Sequence, residues 1–310
     1  MKRVAAIDCG TNSIRLLVAD LPRRGPLREI TRQMQVVRLG QGVDRTGILD
    51  PAALERTLAA VGDYAEVCAE HEVSEIRFIA TSATRDAGNR HAFISGVRKA
   101  IGVEPEVVSG QEEAALSFAG AASVLAEGQE RPLLVVDIGG GSTELVQGET
   151  VPQAAVSFDL GSVRVTERHL RGDPPGGKQV KAARKEVRAA LADVSTELAL
   201  ADVRTIVGVA GSVTTVTAHA LGLEQYERAA IDGAELSVEQ VQASCAALLG
   251  ATRDERARMG FMHPGRVDVI GAGALIWGEV VRAVAEIAPG LQTVRTSEHD
   301  LLDGIALSLR

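Results

Sequence analysis

The chain has 310 residues and carries 33 Lys and Arg against 41 Asp and Glu, a formal charge of −8. At 45% hydrophobic and 24% charged residues it has ordinary globular composition, which excludes a disordered chain. The acidic balance speaks against a protein that grips nucleic acid or a membrane surface over its whole face, though not against a local basic site.

At about 150 residues per domain, the length suggests two domains. Aromatic residues are only 3%, so the core must be built mainly from Ala, Val, Leu and Ile. Cys9, Cys68 and Cys245 are widely spaced and form neither a disulfide framework nor a metal-ligand pattern, which fits a reducing cytosol. The apolar run after Met1-Lys2-Arg3 is too short for a signal-peptide core. No stretch approaches the roughly 18 apolar residues of a membrane span. The expectation is a cytoplasmic protein.

In chain order, 3–8 and 14–19 read as two strands around a Gly/Thr/Asn/Ser turn, and 27–39 as further strand. Asp50 and Pro51 mark the N-cap and first position of a helix through about residue 71. A buried strand at 75–81, a helix at 89–100, a short strand at 104–110 and a helix from Gln111 to about Leu125 follow. The polar stretch 127–132 is the best candidate domain boundary. Beyond it, 133–148 again reads strand, glycine turn, strand, and 152–160 continues the sheet. Helices are expected at 162–170 and 179–200, a strand at 205–211, and a helix from Ser212. Helices at 237–249, 253–259 and 266–287, a strand at 291–295 and a helix at 299–309 complete the chain. Strands alternate with helices throughout, so the class is α/β.

Residues 4–18 overlay 133–147 without a gap, at an offset of 129. Asp8 meets Asp137, Gly10 meets Gly139 and Ser13 meets Ser142, within matching apolar runs. Two copies of one α/β unit facing each other would form a cleft with both loops at its base. An Asp at a strand end can hold a metal ion or its water. Glycines let backbone N–H groups approach an anion, and Ser and Thr add hydroxyl donors. One such loop is equally well a hairpin turn; two gapless copies with a Gly-Gly-Gly run point to phosphate binding. Gly172–Lys178 imitates a P-loop, but Gln179 stands where Ser or Thr is needed and the segment before it reads as helix, so that motif is rejected.

The segments AAIDCGTNSIRLLVAD, TSATRDA, VVSGQEEA and VVDIGGGSTEL resemble the exopolyphosphatase and guanosine pentaphosphate phosphohydrolase (Ppx/GppA) family, as do the later GVAGSVTTV and HPGRVDVIGAGAL. The resemblance covers essentially the whole chain. It implies two ribonuclease-H-like domains of the actin, sugar kinase and heat-shock ATPase superfamily with an interdomain cleft. The domains would span 1–128 and 129–298, with the helix at 299–310 crossing back to complete the first. It also implies metal-dependent hydrolysis of a terminal phosphate, with Mg2+ or Mn2+.

By position, Glu113 matches the family's catalytic glutamate, with Glu112 the easiest residue to mistake for it. Arg85 matches an arginine on the phosphate chain, and Asp8, Asp137 and Glu144 match acidic residues that handle metal. Gly10, Thr11, Asn12, Ser13, Gly139, Gly140, Gly141, Ser142, Thr143, Gly211 and Ser212 are the phosphate-binding candidates. In the chain itself Glu113 lies in the first turn of a helix, where the dipole favours an ionised carboxylate, as it would for any helix-stabilising acid. Arg15 follows the first loop at the position that Glu144 holds after the second, and reads as structural support.

The expected substrate is inorganic polyphosphate, with guanosine pentaphosphate or a non-catalytic polyphosphate or alarmone binder as alternatives. A sugar kinase of the same superfamily is disfavoured by SGQEEA and by the Glu after GGGST. Long family members carry extra helical domains beyond this length; a preference for short chains is expected without them. A homodimer is a family expectation. Residues 164–188 hold eight basic and three acidic side chains, +5 inside a chain that is otherwise −13. They form either a solvated helix face or a track for a polyanion.

Overall fold

A computed structural model describes residues 2–125, 130–194, 197–291 and 293–310. The polar connection at 127–132 begins outside this set, and the expected boundary at 128/129 lies outside it. The chain divides into two compact units, Met1–Val124 with Asp300–Arg310, and Leu125–His299.

In the first unit, β1 (Lys2–Cys9), β2 (Ser13–Leu21) and β3 (Arg28–Val36) form an antiparallel meander. Then come α1 (Val43–Thr46), α2 (Pro51–Glu70), β4 (Glu75–Ala80), α3 (Ser82–Asp86), α4 (Arg90–Ile101), β5 (Glu106–Val107) and α5 (Gly110–Ala122). The sheet order is β3-β2-β1-β4-β5, with β4 parallel to β1 and β5 parallel to β4. Strand alternation sends Ala5, Ile7 and Cys9 to a core shared with Tyr64 of α2 and Phe93 of α4. It sends Val4 and Ala6 to the opposite core, closed by Leu301, Leu302 and Ile305 of the C-terminal helix (Leu301–Leu307). The Asp50 carboxylate caps α2 by accepting from the N–H groups of Ala52 and Ala53, with Pro51 in the first turn.

The second unit runs β6 (Leu133–Ile138), β7 (Thr143–Gly148), β8 (Pro152–Phe158), α6 (Ser162–His169), α7 (Gly177–Val194), β9 (Thr205–Val209) and α8 (Ala210–Ala220). It continues with α9 (Arg228–Ile231), β10 (Glu235–Ser237), α10 (Val238–Gly250), α11 (Arg253–Ala257), α12 (Ile270–Ile287) and β11 (Thr293–Thr296). Its sheet order is β10-β11-β9-β6-β7-β8. With β10 set aside as an added edge strand, this is the order of the first unit. Each unit is therefore a ribonuclease-H-like α/β layer. The second core is mainly aliphatic, with Trp277 and Phe261 its buried aromatics. Among the described residues no helix is long and apolar enough to cross a membrane.

Four elements were not expected: α1, α3, α9 and β10. Each is three to five residues long, too short to show a period. The strand expected at 104–110 is only two residues, Glu106–Val107, and the helix expected at 179–200 ends at Val194. The helix expected at 266–287 starts at Ile270, because Pro264–Arg266 forms a 3-10 turn first. The P-loop imitation at 172–178 runs from the loop after α6 into the first turn of α7, with a helix and no strand before it.

The C-terminal helix meets α5 nearly backbone to backbone. A Cβ at Gly120 would lie 1.9 Å from the carbonyl oxygen of Asp300, and one at Gly304 would lie 1.9 Å from that of Leu116. Neither clash can be relieved by a rotamer. We expect Gly304→Ala to lower stability by roughly 2–3 kcal/mol. Gly62→Ala, in α2 with open space around it, should raise stability by about 0.5–1 kcal/mol. Urea midpoints of the two variants check this; similar midpoints would refute the close approach.

Candidate active site

The 129-residue repeat is a repeat of hydrogen bonding as well as of sequence. Asp8 stands directly across from Arg15 in the β1–β2 pair, and Asp137 directly across from Glu144 in the β6–β7 pair. In both turns the glycine N–H donates to the serine carbonyl at 3.0 Å: Gly10 to Ser13 and Gly139 to Ser142. Directly opposed residues share a face of the sheet, so each loop is flanked by two side chains on one side.

In the first unit that pair is neutralised. Arg15 Nη2 lies 2.7 Å from Asp8 Oδ2, and its Nη1 pairs with Asp300, the N-cap of the C-terminal helix. Burial lifts the Asp8 carboxyl above its ordinary range, with Arg15 opposing the shift. Burial likewise disfavours the Arg15 charge, yet Asp300 and Asp8 together hold the guanidinium protonated well above its ordinary range. Asp8 Oδ1 and Thr11 Oγ1 are buried with no hydrogen-bond partner. Such groups are expected where an anion or cation completes the site. The turn is braced from behind: the Asn12 carbonyl accepts from Val37 and Arg38, and that of Thr11 from Gly40. Ser13 opens β2. Cys9 points into the core, and burial, with Asp8 adding to it, pushes its thiol well above the ordinary range; it is packing and not a nucleophile.

The same unit positions Glu113. Ser109 caps α5 by accepting from the N–H of Glu112, and the N–H of Glu113 donates to the Ser109 carbonyl. Glu113 is 6% exposed. Arg85, at the end of α3, donates through Nη1 to Glu113 Oε2 at 3.2 Å and to the Val108 carbonyl at 2.9 Å. Arg85 is thus turned onto the carboxylate. Glu112 faces outward, with its side chain 48% exposed and 3.1 Å from Arg77. The two neighbouring glutamates are therefore separated by environment.

In the second unit Asp137 and Glu144 are both buried, and Ser157 Oγ donates to Glu144 Oε1 at 2.8 Å. The loop carbonyls of Gly139 and Gly140 accept from the first N–H groups of α6, at Ser162 and Val163. Gly141 and Ser142 are buried. Thr143 departs from its expected role: its hydroxyl donates to the Leu160 carbonyl at 2.5 Å, and its side chain lines an apolar pocket with Phe158 and Ile276. Ser212 is buried on α8 and packs against Gly273 of α12. Ala210, opening that helix, holds φ at 66°, a strained value for a residue with a side chain.

Two residues were missed. Asp300, the partner of Arg15, could have been found from the capping box it forms with Asp303. Arg266 lies against Gly211 so closely that a Cβ there would fall 2.1 Å from the guanidinium. It lies in the HPGRVDVIGAGAL segment, but nothing in the linear pattern singles out that arginine. Among the described residues no three His, Cys, Asp or Glu side chains gather into a metal-holding group. Asp137 and Glu144 form an all-oxygen pair without Cys or His. That donor set suits Mg2+, which is commonly held by one or two carboxylates, with waters and substrate phosphates filling the rest.

A model described as the Ppx/GppA phosphatase family matches residues 18–309. Exopolyphosphatase 2 of Mycobacterium tuberculosis is 46% identical, over 100% of this chain and 99% of its own length. The crystal structure of an exopolyphosphatase-like protein aligns with a TM-score of 0.95 at 45% identity, covering 99% of this chain and 98% of that one. A Ppx/GppA family member from Aquifex aeolicus aligns at 0.81 and 29% identity, covering 99% and 97%.

The Asp8–Arg15–Asp300 cluster yields a stability test. Arg15→Met leaves two buried carboxylates facing each other without a cation, and should cost about 3–5 kcal/mol near neutral pH. The Asp8 carboxyl, already lifted by burial, would lose the cation that opposes that shift and titrate higher still in the folded state. The deficit should be smallest at acid pH and should grow as pH rises from about 4 toward its folded value. Urea unfolding of the variant and the wild type at pH 4 and pH 7 measures this; a pH-independent deficit would refute it.

Proposed function

The chain belongs to the Ppx/GppA phosphatase family, and from that membership and the site geometry we propose that it is an exopolyphosphatase. In this reading it hydrolyses the terminal phosphate from inorganic polyphosphate, and its three buried free cysteines suit a reducing cytoplasm. The Arg85–Glu113 pair carries the proposal. Phosphoryl transfer asks the protein mainly for an oriented nucleophile and for charge neutralisation. Glu113 meets the first need. It is buried, and one arginine nitrogen and the α5 cap hold it in place, so it can take a proton from a water without reorganising.

Arg85 has further donors beyond Nη1 for an incoming phosphate oxygen. Each unit's loop, 10–13 in the first and 139–142 in the second, can present backbone to an anion, and Thr11 Oγ1 is a hydroxyl awaiting a partner. Asp137 and Glu144 would hold Mg2+ or Mn2+. Such a cation supplies neutralisation of charge on the phosphate oxygens. Asp8 flanks the first loop; its neutralisation by Arg15 suits it better to positioning than to gripping a cation alone. Thr143 drops out of the phosphate set, because its hydroxyl is spent on the protein core.

Phosphate release should be measured with Mg2+ on short and long polyphosphate and on guanosine pentaphosphate, which presents the same terminal anhydride. Glu113→Gln should lose about 10²–10⁴ in turnover while still binding polyphosphate. Glu112→Gln should stay within about twofold, as an exposed substitution. Chelation should abolish release, and added Mg2+ should restore it. Full activity in Glu113→Gln would overturn the base assignment. Phosphate transfer from ATP to a sugar would overturn the reaction class.

A further inference from the structure

The outer face of α7 breaks the rules that ordinarily stabilise a helix. Lys178, Lys181, Lys185 and Arg188 are all exposed. Their spacing of three, four and three residues puts them on one stripe, about 15 Å long. The helix has no acidic residue in its first turn, where the dipole favours one, and carries lysines near that end instead. Lys178, Lys181 and Lys185 have no ion-pair or hydrogen-bond partner among the described residues. Glu186, the acidic residue within this stretch of α7, is turned onto Arg168 and His169 of α6 and neutralises none of the stripe.

Beside the stripe lies a second excess of positive charge. Three guanidiniums share one buried carboxylate: Arg184 at 3.3 Å, Arg188 at 2.6 Å and Arg282 at 3.4 Å from Glu279, which is 4% exposed. Glu286 adds a weaker attraction on Arg188, and two carboxylates still leave the three guanidiniums in excess. A patch that concentrates unpaired cations, inside a chain that is acidic elsewhere, departs from local consistency in the way that functional surfaces do.

We propose that the α7 stripe is a second binding surface for inorganic polyphosphate, built from none of the catalytic candidates. The residue chemistry favours that polymer over other polyanions. Residues 164–188 contain no Phe, Tyr or Trp, so nothing there can stack a nucleobase. The larger apolar residues of α7, Val180, Val187 and Leu191, pack in or against the core, and only alanines are left exposed, too small to anchor the helix in a lipid surface. What remains is a line of point charges, which matches a uniformly charged chain without bases or tails. The kinetic part of this inference rests on the phosphohydrolase reading; the binding part does not.

The test compares wild type with K178Q/K181Q/K185Q. A control of equal charge change, R23Q/R24Q/K99Q, alters exposed residues of the first unit. Binding of long-chain polyphosphate is measured by titration in the Glu113→Gln background, so that turnover does not consume the probe. The stripe variant should bind about tenfold or more weakly near 0.1 M salt, with the salt slope reduced by about two, and the control should bind as wild type does. In active protein the stripe variant should raise KM for long polyphosphate by a similar factor. Its kcat, and its kinetics on tripolyphosphate, should be unchanged. Unaltered long-chain binding in the stripe variant, or an equal loss in the control, overturns the proposal. So does lysine-dependent binding of a single-stranded oligonucleotide or of anionic phosphatidylglycerol vesicles that exceeds binding of polyphosphate. If wild type releases phosphate from no substrate, the enzymatic reading fails, while the binding arm still decides the stripe.

Discussion

The antiparallel register of the first two strands in each unit is the constraint on which the rest of the structure depends. Because Asp8 lies across from Arg15 and Asp137 across from Glu144, the turn between each pair must close at one length and one geometry. A one-residue slip would send every side chain of the strand to the wrong face. It would move Asp8 and Arg15 away from Asp300 and expose the aliphatic rows of both cores. Hydrophobic alternation thus fixes where the charges of the candidate site stand. The strongest determinant of the polar loops is the apolar pattern on either side of them.

The same scaffold was then charged in opposite senses. In the first copy the residue opposite the aspartate is Arg15, and the pair is closed off by Asp300. In the second copy it is Glu144, and two carboxylates stand side by side. The first pair therefore joins opposite charges, while the second sets two carboxylates on one face of the sheet. A net charge of −8 reports neither. It also hides the lysine stripe of α7, whose charges are local and unpaired. For a protein that meets a polyanion, the placement of charge matters more than its sum.

Much of this was legible in the chain. The gapless offset of 129 predicted two copies of one loop, and the loops share their hydrogen bonding to within the same 3.0 Å. Asp50-Pro51 marked the start of α2 because cap chemistry is local. What could not be read depends on contacts distant in sequence. Arg15 finds Asp300 across 285 residues, and no local pattern encodes that pairing. Glu113 differs from Glu112 only by which way each side chain leaves the helix, which is decided when Arg85 and Arg77 arrive from elsewhere. Thr143 looked like a hydroxyl donor for phosphate because of its place after the glycines. It faces inward because strand alternation puts it on the face opposite Glu144. Helix α3, which delivers Arg85, is five residues long and has no period to detect.

The seat of the C-terminal helix on β1 and α5 bears on how the molecule is born. One wall of the first sheet, against Val4, Ala6 and Leu17, is supplied by residues that leave the ribosome after the whole second unit. Until then that face has only Val108 and Leu116 of the earlier segment to cover it. The interval in which the first strands expose part of their aliphatic face is set by the time needed to translate roughly 175 further residues. Aggregation during expression, more than the stability of the finished protein, is where that topology will be felt.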